Sequence, residues 1–194
     1  MRRTRSTLGV VVAAMALTVG VTDCGGGGQA GHRREVGAFA WLRPASAPTG
    51  WKVARIPQGS TLAYPPGWRP IKTDRGTATV ALLGGGERIE GYLNATPKQG
   101  SETLANWSRF RDDHNAGEGS RDVRLVASAN NLGFRSGRGS CVIDSYTTSK
   151  DHYREIACLV SGRNSSAVVV AAAPAELWHD QAATLQRAVS SFVP

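Results

Sequence analysis

The stretch from Gly139 to Ala173 constrains this chain more than any other. Ser140–Thr147 and His152–Val160 are two strand-like runs separated by a short polar segment. Folding them into a hairpin about Ser149-Lys150 puts Cys141 opposite Cys158, Val142 opposite Ala157, Ile143 opposite Ile156 and Tyr146 opposite Tyr153. Strand side chains alternate between faces, so Cys141, Ile143, Ile156, Cys158 and Val160 share one side, the expected core face. Directly opposed residues come near enough for a disulfide. A Cys141–Cys158 bond would close a loop of about 17 residues, worth roughly 3 kcal/mol on the chain-entropy model. Two buried thiols are the alternative. On the other face, Asp144 falls opposite Glu155, beside Tyr146 and Tyr153. Opposed like charges repel. The two carboxylates should therefore bind a cation, pair with an arginine such as Arg135, or splay into water. The two tyrosines should stack, either under a covering helix or on an exposed binding surface.

The N-terminus bears on compartment. Met1–Arg5 is a positive n-region, and Leu8–Val21 is apolar but short of the roughly 20 residues of a membrane span. This is the pattern of a secretory signal over residues 1–23. Val21-Thr22-Asp23-Cys24, followed by Gly25–Gly28, resembles the lipobox of bacterial lipoproteins. That resemblance implies acylation of Cys24, which would then be the mature N-terminus. Asp23 departs from the small residues usual there, so the alternative is a signal cut elsewhere and a secreted product, or an uncleaved anchor. Three cysteines make one disulfide and one left over, and acylation would account for the odd one. The formal charge is +8; losing Arg2, Arg3, Arg5 and Asp23 leaves +6. A basic protein invites a nucleic-acid reading, which export argues against.

Residues 24–49 are rich in Gly, Pro and Arg and read as a flexible tether, with Phe39, Trp41 and Leu42 as apolar exceptions that could dock on the domain or on the membrane surface. Residues 50–194 read as one domain. Trp51–Ile56, Ser60–Tyr64, Thr77–Leu83, Arg88–Ala95, Val123–Ser128 and Ala167–Ala171 alternate or run apolar as strands do. Gly84–Gly86 reads as a hairpin turn, and Gly133–Gly139 as a loop. Ser101 is the expected N-cap of a helix carrying Leu104, Trp107 and Phe110 and stopping at Gly117 and Gly119. A last helix opens at Pro174 and aligns Trp178, Ala182, Leu185, Val189 and Phe192 on one face.

The corner Tyr64-Pro65-Pro66-Gly67-Trp68, the hairpin, the early helix, the long antiparallel run and the closing helix with Ser190-Ser191-Phe192 resemble the PsbP-like fold. Actinobacterial lipoproteins of the LpqN type have a similar plan. The resemblance implies an α+β domain, an antiparallel sheet covered by helices. It also implies a binding or assembly module outside the cytoplasm, and it offers no active site to carry over.

The chemistry-bearing residues point the same way. His32, His114, His152 and His179 show no zinc spacing, and the cysteines are too few for a structural zinc site. No metal site and no cofactor is expected. There is no Gly-x-Ser-x-Gly elbow, and Gly84–Gly86 lacks the Lys-Ser/Thr of a phosphate loop. The expected function is a non-enzymatic binding or scaffold module at the outer face of a cell membrane, held by acylated Cys24. Its partner would be an anionic envelope ligand or a protein, and not nucleic acid. The alternative is an envelope hydrolase without a recognisable motif.

Overall fold

The computed structural model of the chain describes residues 37–194. The expected signal, Cys24 and the first part of the tether lie outside the described residues. From residue 50 onward the described residues form nine strands and two α-helices, in order: β1 Lys52–Arg55, β2 Thr61–Tyr64, β3 Arg69–Pro70, β4 Ala78–Leu83, β5 Ile89–Pro97, α1 Trp107–Gly117, β6 Arg121–Phe134, β7 Gly137–Thr147, β8 His152–Gly162, β9 Ser166–Pro174 and α2 Trp178–Ser190. β1 and β2 form a two-stranded ribbon. The other seven make one antiparallel sheet in the order β3-β4-β5-β9-β8-β7-β6. This is the expected α+β architecture.

The β7–β8 pairing has the register read from the sequence, with Cys141 opposite Cys158, Ile143 opposite Ile156 and Asp144 opposite Glu155. The Cys141–Cys158 disulfide is formed and buried. Its face of the sheet carries Leu93, Ile156, Val160 and Val169 against Leu185 and Val189 of α2, Phe192 just beyond its end, and Leu62 of the ribbon. The ribbon is tied to the chain end by reciprocal backbone bonds between Thr61 and Val193. Trp68, at the Pro-Pro-Gly corner, packs over Gly91 of β5. A Cβ there would lie 2.6 Å from the indole, so only glycine admits the ring.

Four boundaries differ from the sequence expectation. The ordered domain begins before residue 50, because Phe39 is buried and Trp41 and Leu42 pack on the same core. A segment read as tether is thus a strap, drawn in by its apolar side chains. The first helix starts at Trp107 and not at Ser101. Thr103 and Asn106 cap each other's backbone N–H groups ahead of it, while Glu102 turns back to accept the N–H groups of Gln99 and Gly100. The segment Gly133–Gly139 is a tight hairpin, with Phe134 opposite Gly137. Pro174 ends β9, and a 3-10 turn over Ala175–Leu177 precedes α2.

β5 pairs with β9, so the chain must travel from the sheet centre to the far edge before β6. Helix α1 is that crossing. It lies on the face opposite α2, over Val142, Ala157, Leu159 and Val168. Because the disulfide closes a 17-residue separation, replacing both cysteines by serine should lower unfolding free energy by about 2–4 kcal/mol. Urea unfolding of wild type with and without reductant, beside the double variant, measures this loss.

Candidate functional site

The face under α1 changes character along the strands. Toward the start of the helix it is apolar: Trp107 is buried and its indole N–H donates to the Ala157 carbonyl at 2.9 Å. Toward the end it is ionic. Asp144 and Glu155, opposed on β7 and β8, are 0% and 1% exposed. Neither splays into water. The partner is Arg111 of α1, whose Nε donates to Glu155 Oε1 at 2.6 Å, with one Nη in ion-pair contact with the same oxygen at 2.6 Å. Arg135 stays exposed in the β6–β7 turn, and Arg154 lies on the other face, over the Trp178 ring at 5.2 Å. Tyr146 donates to Glu155 Oε2 at 3.0 Å and stacks on Tyr153 with centroids 5.9 Å apart. The tyrosine pair therefore sits beside the covering helix and helps satisfy the carboxylate.

Asp144 is served less well. Asn115 Nδ2 donates to its Oδ2 at 3.3 Å, and Oδ1 has no hydrogen-bond partner. Burial, then the facing Glu155, push its carboxyl up to about 8. Burial is also the main cause that raises Tyr146, Tyr92 and Asp112. Arg111 is raised: burial opposes its charge, but Glu155 and Asp144 outweigh that. The sequence placed Asp144 and Glu155 together correctly. It missed Arg111 and Asn115, whose signal was their place one helical turn and two turns beyond Trp107, on the same face of α1.

A cleft of about 240 Å³ opens beside this cluster, between α1 and the margin of the sheet. Its walls are Trp107, Phe110, Arg111 and His114 on the helix and Pro97 and Val168 on the strands. The three rings form a ladder, with centroids 6.0 Å apart for Trp107–Phe110 and 6.3 Å for Phe110–His114. Burial, with help from Arg111, lowers His114 from its ordinary value and favours neutral imidazole at the cleft. Arg111 joins both sites, lining the cleft and holding Glu155. Asp144 does not line it. Across Pro97 lies a shallow groove of about 640 Å³ with Lys98, Arg163, Asn164 and Ser165 and no acidic side chain. His152 and His179 are exposed. Among the described residues, no three His, Cys, Asp or Glu side chains gather where they could hold a metal ion, and no helix is long and apolar enough to cross a membrane.

No family profile matches the chain, and no curated protein matches it. Among solved structures, cyanobacterial PsbP (CyanoP) from Synechocystis superposes with a TM-score of 0.55 at 14% identity, covering 76% of this chain and 94% of CyanoP. The chain has the PsbP-like fold. A protein of unknown function from Pseudomonas aeruginosa, PA94, superposes at 0.50 and 13% identity, covering 74% of this chain and 96% of its own. LpqN of Mycobacterium tuberculosis, described as involved in cell envelope biogenesis, aligns with 74% of this chain and 91% of its own at 0.39 and 12% identity.

Removing one partner of a buried ion pair leaves the other uncompensated, at a cost of about 3–5 kcal/mol. Arg111→Ala should destabilise by that order. Arg111→Met combined with Glu155→Gln should cost much less than the sum of the two single changes. A double-mutant cycle by chemical denaturation gives this coupling directly.

Proposed function

We propose that the protein is a non-enzymatic binding module at the extracytoplasmic face of a cell membrane, anchored through acylated Cys24. The observation that carries this reading is the pairing of Cys141 with Cys158 inside the core, which leaves Cys24 as the odd cysteine. A structural disulfide persists in oxidising compartments and not in the cytosol. The positive, then apolar, N-terminal pattern agrees with export. Two acyl chains on one cysteine suffice for stable anchoring.

The expected partner is anionic, a ligand or polymer of the envelope or an acidic protein. The groove of Lys98 and Arg163 supports this, because its lining supplies cations, amide and hydroxyl groups and no competing carboxylate. The alternative is an envelope hydrolase. It would need a shifted acid to reach its substrate, and the strongly shifted group, Asp144, is sealed from solvent and from the cleft.

Two measurements test the proposal. Intact mass of the membrane-fraction protein should show an acylated N-terminal Cys24 and a form lighter by two hydrogens than the reduced chain. A soluble form cut away from Cys24, or three free thiols, would sink it. Reversing charge at Lys98 and Arg163 together should weaken retention on an anionic polymer matrix while leaving the melting temperature unchanged; equal retention would exclude the groove.

A further inference from the structure

The two halves of α1 are held to the sheet by different forces. The first half is pinned by Trp107, packed against Val142, Leu159 and Val168. Beyond Phe110 the sequence is Arg111-Asp112-Asp113-His114-Asn115-Ala116-Gly117, with no large apolar side chain. Its buried residues there are Arg111 and Asn115, and both bond to the carboxyl pair. The hold on this half is therefore polar: an ion pair to Glu155 and a hydrogen bond to Asp144.

The charges facing Asp144 are few. β8 contributes Glu155 directly opposite, with Tyr153 further along the face, and β7 contributes Tyr146. Helix α1 contributes Arg111, Asp112, Asn115 and His114. β5 contributes Tyr92, whose titration senses Glu155 and Arg111. On β6 the residue opposite Asp144 is Leu125, beside Arg124 opposite Ser145; on β9 the residue opposite Glu155 is Ala172. Arg111 is thus the cation in contact with the pair, and it is committed to Glu155. Asp144 keeps a fully buried oxygen with no partner. A buried carboxyl without a cation is held neutral by its surroundings.

We propose that Asp144 is a buried proton-binding site that latches the C-terminal half of α1, so that loss of the proton frees this half from the sheet and opens the cleft. Ionised Asp144 would face Glu155 across the β7–β8 pair in a medium that screens poorly. The sheet, stapled at Cys141–Cys158, resists moving; the helix half resting on Arg111 and Asn115 yields first. Trp107 acts as the pivot, and His114 and Arg111 move away from Pro97 and Val168. The sign follows from the raised carboxyl: the latch is complete below the ordinary Asp value of 3.8 and is lost as pH rises through about 8.

The test uses the full chain and needs neither membrane nor ligand, so its failure is separate from failure of the proposed function. Carboxyl-carbon NMR follows Asp144 directly, and hydrogen exchange, corrected for intrinsic rate, follows the amides of residues 112–117. Asp144 should titrate with a midpoint near 8. Between about pH 6 and about pH 9, exchange in α1 should rise roughly tenfold or more while β8 stays protected. Asp144→Asn, neutral throughout, should abolish that rise and melt above wild type at the alkaline end. A midpoint in the ordinary carboxylate range, or the same pH dependence in wild type and Asp144→Asn, overturns the proposal. Should the variant fail to fold, the wild-type titration and exchange decide alone.

Discussion

Everything in this domain depends on one pairing, the eleven-position register between β7 and β8. It brings Cys141 to Cys158 on one face and Asp144 to Glu155 on the other. A slip of one residue would leave Cys141 and Cys158 on opposite faces, and Asp144 and Glu155 likewise. The disulfide bars that slip covalently. The apolar face then gathers α2, the β1–β2 ribbon and the Phe39 strap around it, and the far face is left with an obligation: two buried acids that must be answered.

The answer comes from α1, and connectivity explains why. β5 is paired to β9, so the chain between them has to cross the sheet to reach β6. The crossing segment is a helix with one good apolar anchor and a polar second half. Arg111 answers Glu155 with an ion pair and a hydrogen bond from Nε, and Tyr146 donates a second to the other oxygen. Asp144 receives a single long bond from Asn115. Buried pairs of this kind add little net stability compared with apolar packing. Their presence here is better understood as setting where α1 rests, and with it the shape of the cleft that α1 walls.

The same geometry separates the strongly perturbed carboxyl from the open surface. Perturbed groups in a cleft mark active sites; here Asp144 lies behind the cleft wall, and Arg111 stands between. The surfaces that remain accessible are an aromatic ladder and a basic, acid-free groove. Both suit recognition. The PsbP-like fold itself is shared at low identity with CyanoP, and fold alone assigns no chemistry.

The sequence by itself determined the hairpin register, the disulfide, the opposed carboxylates, the tyrosine stack and the apolar face of the last helix. These are local: each follows from alternation with a period of two, or from helical spacing, over a few residues. Tertiary structure decided the rest. Phe39 joined the core cluster, and only the fold decided between that placement and the membrane surface, which the sequence left open. Ser101 lost its place as helix cap because Glu102 found the N–H groups of Gln99 and Gly100. Arg111 met Glu155 across 44 positions of sequence. A burial cost and its compensation were set in two distant segments, and only the fold that carries α1 over the sheet brings them together.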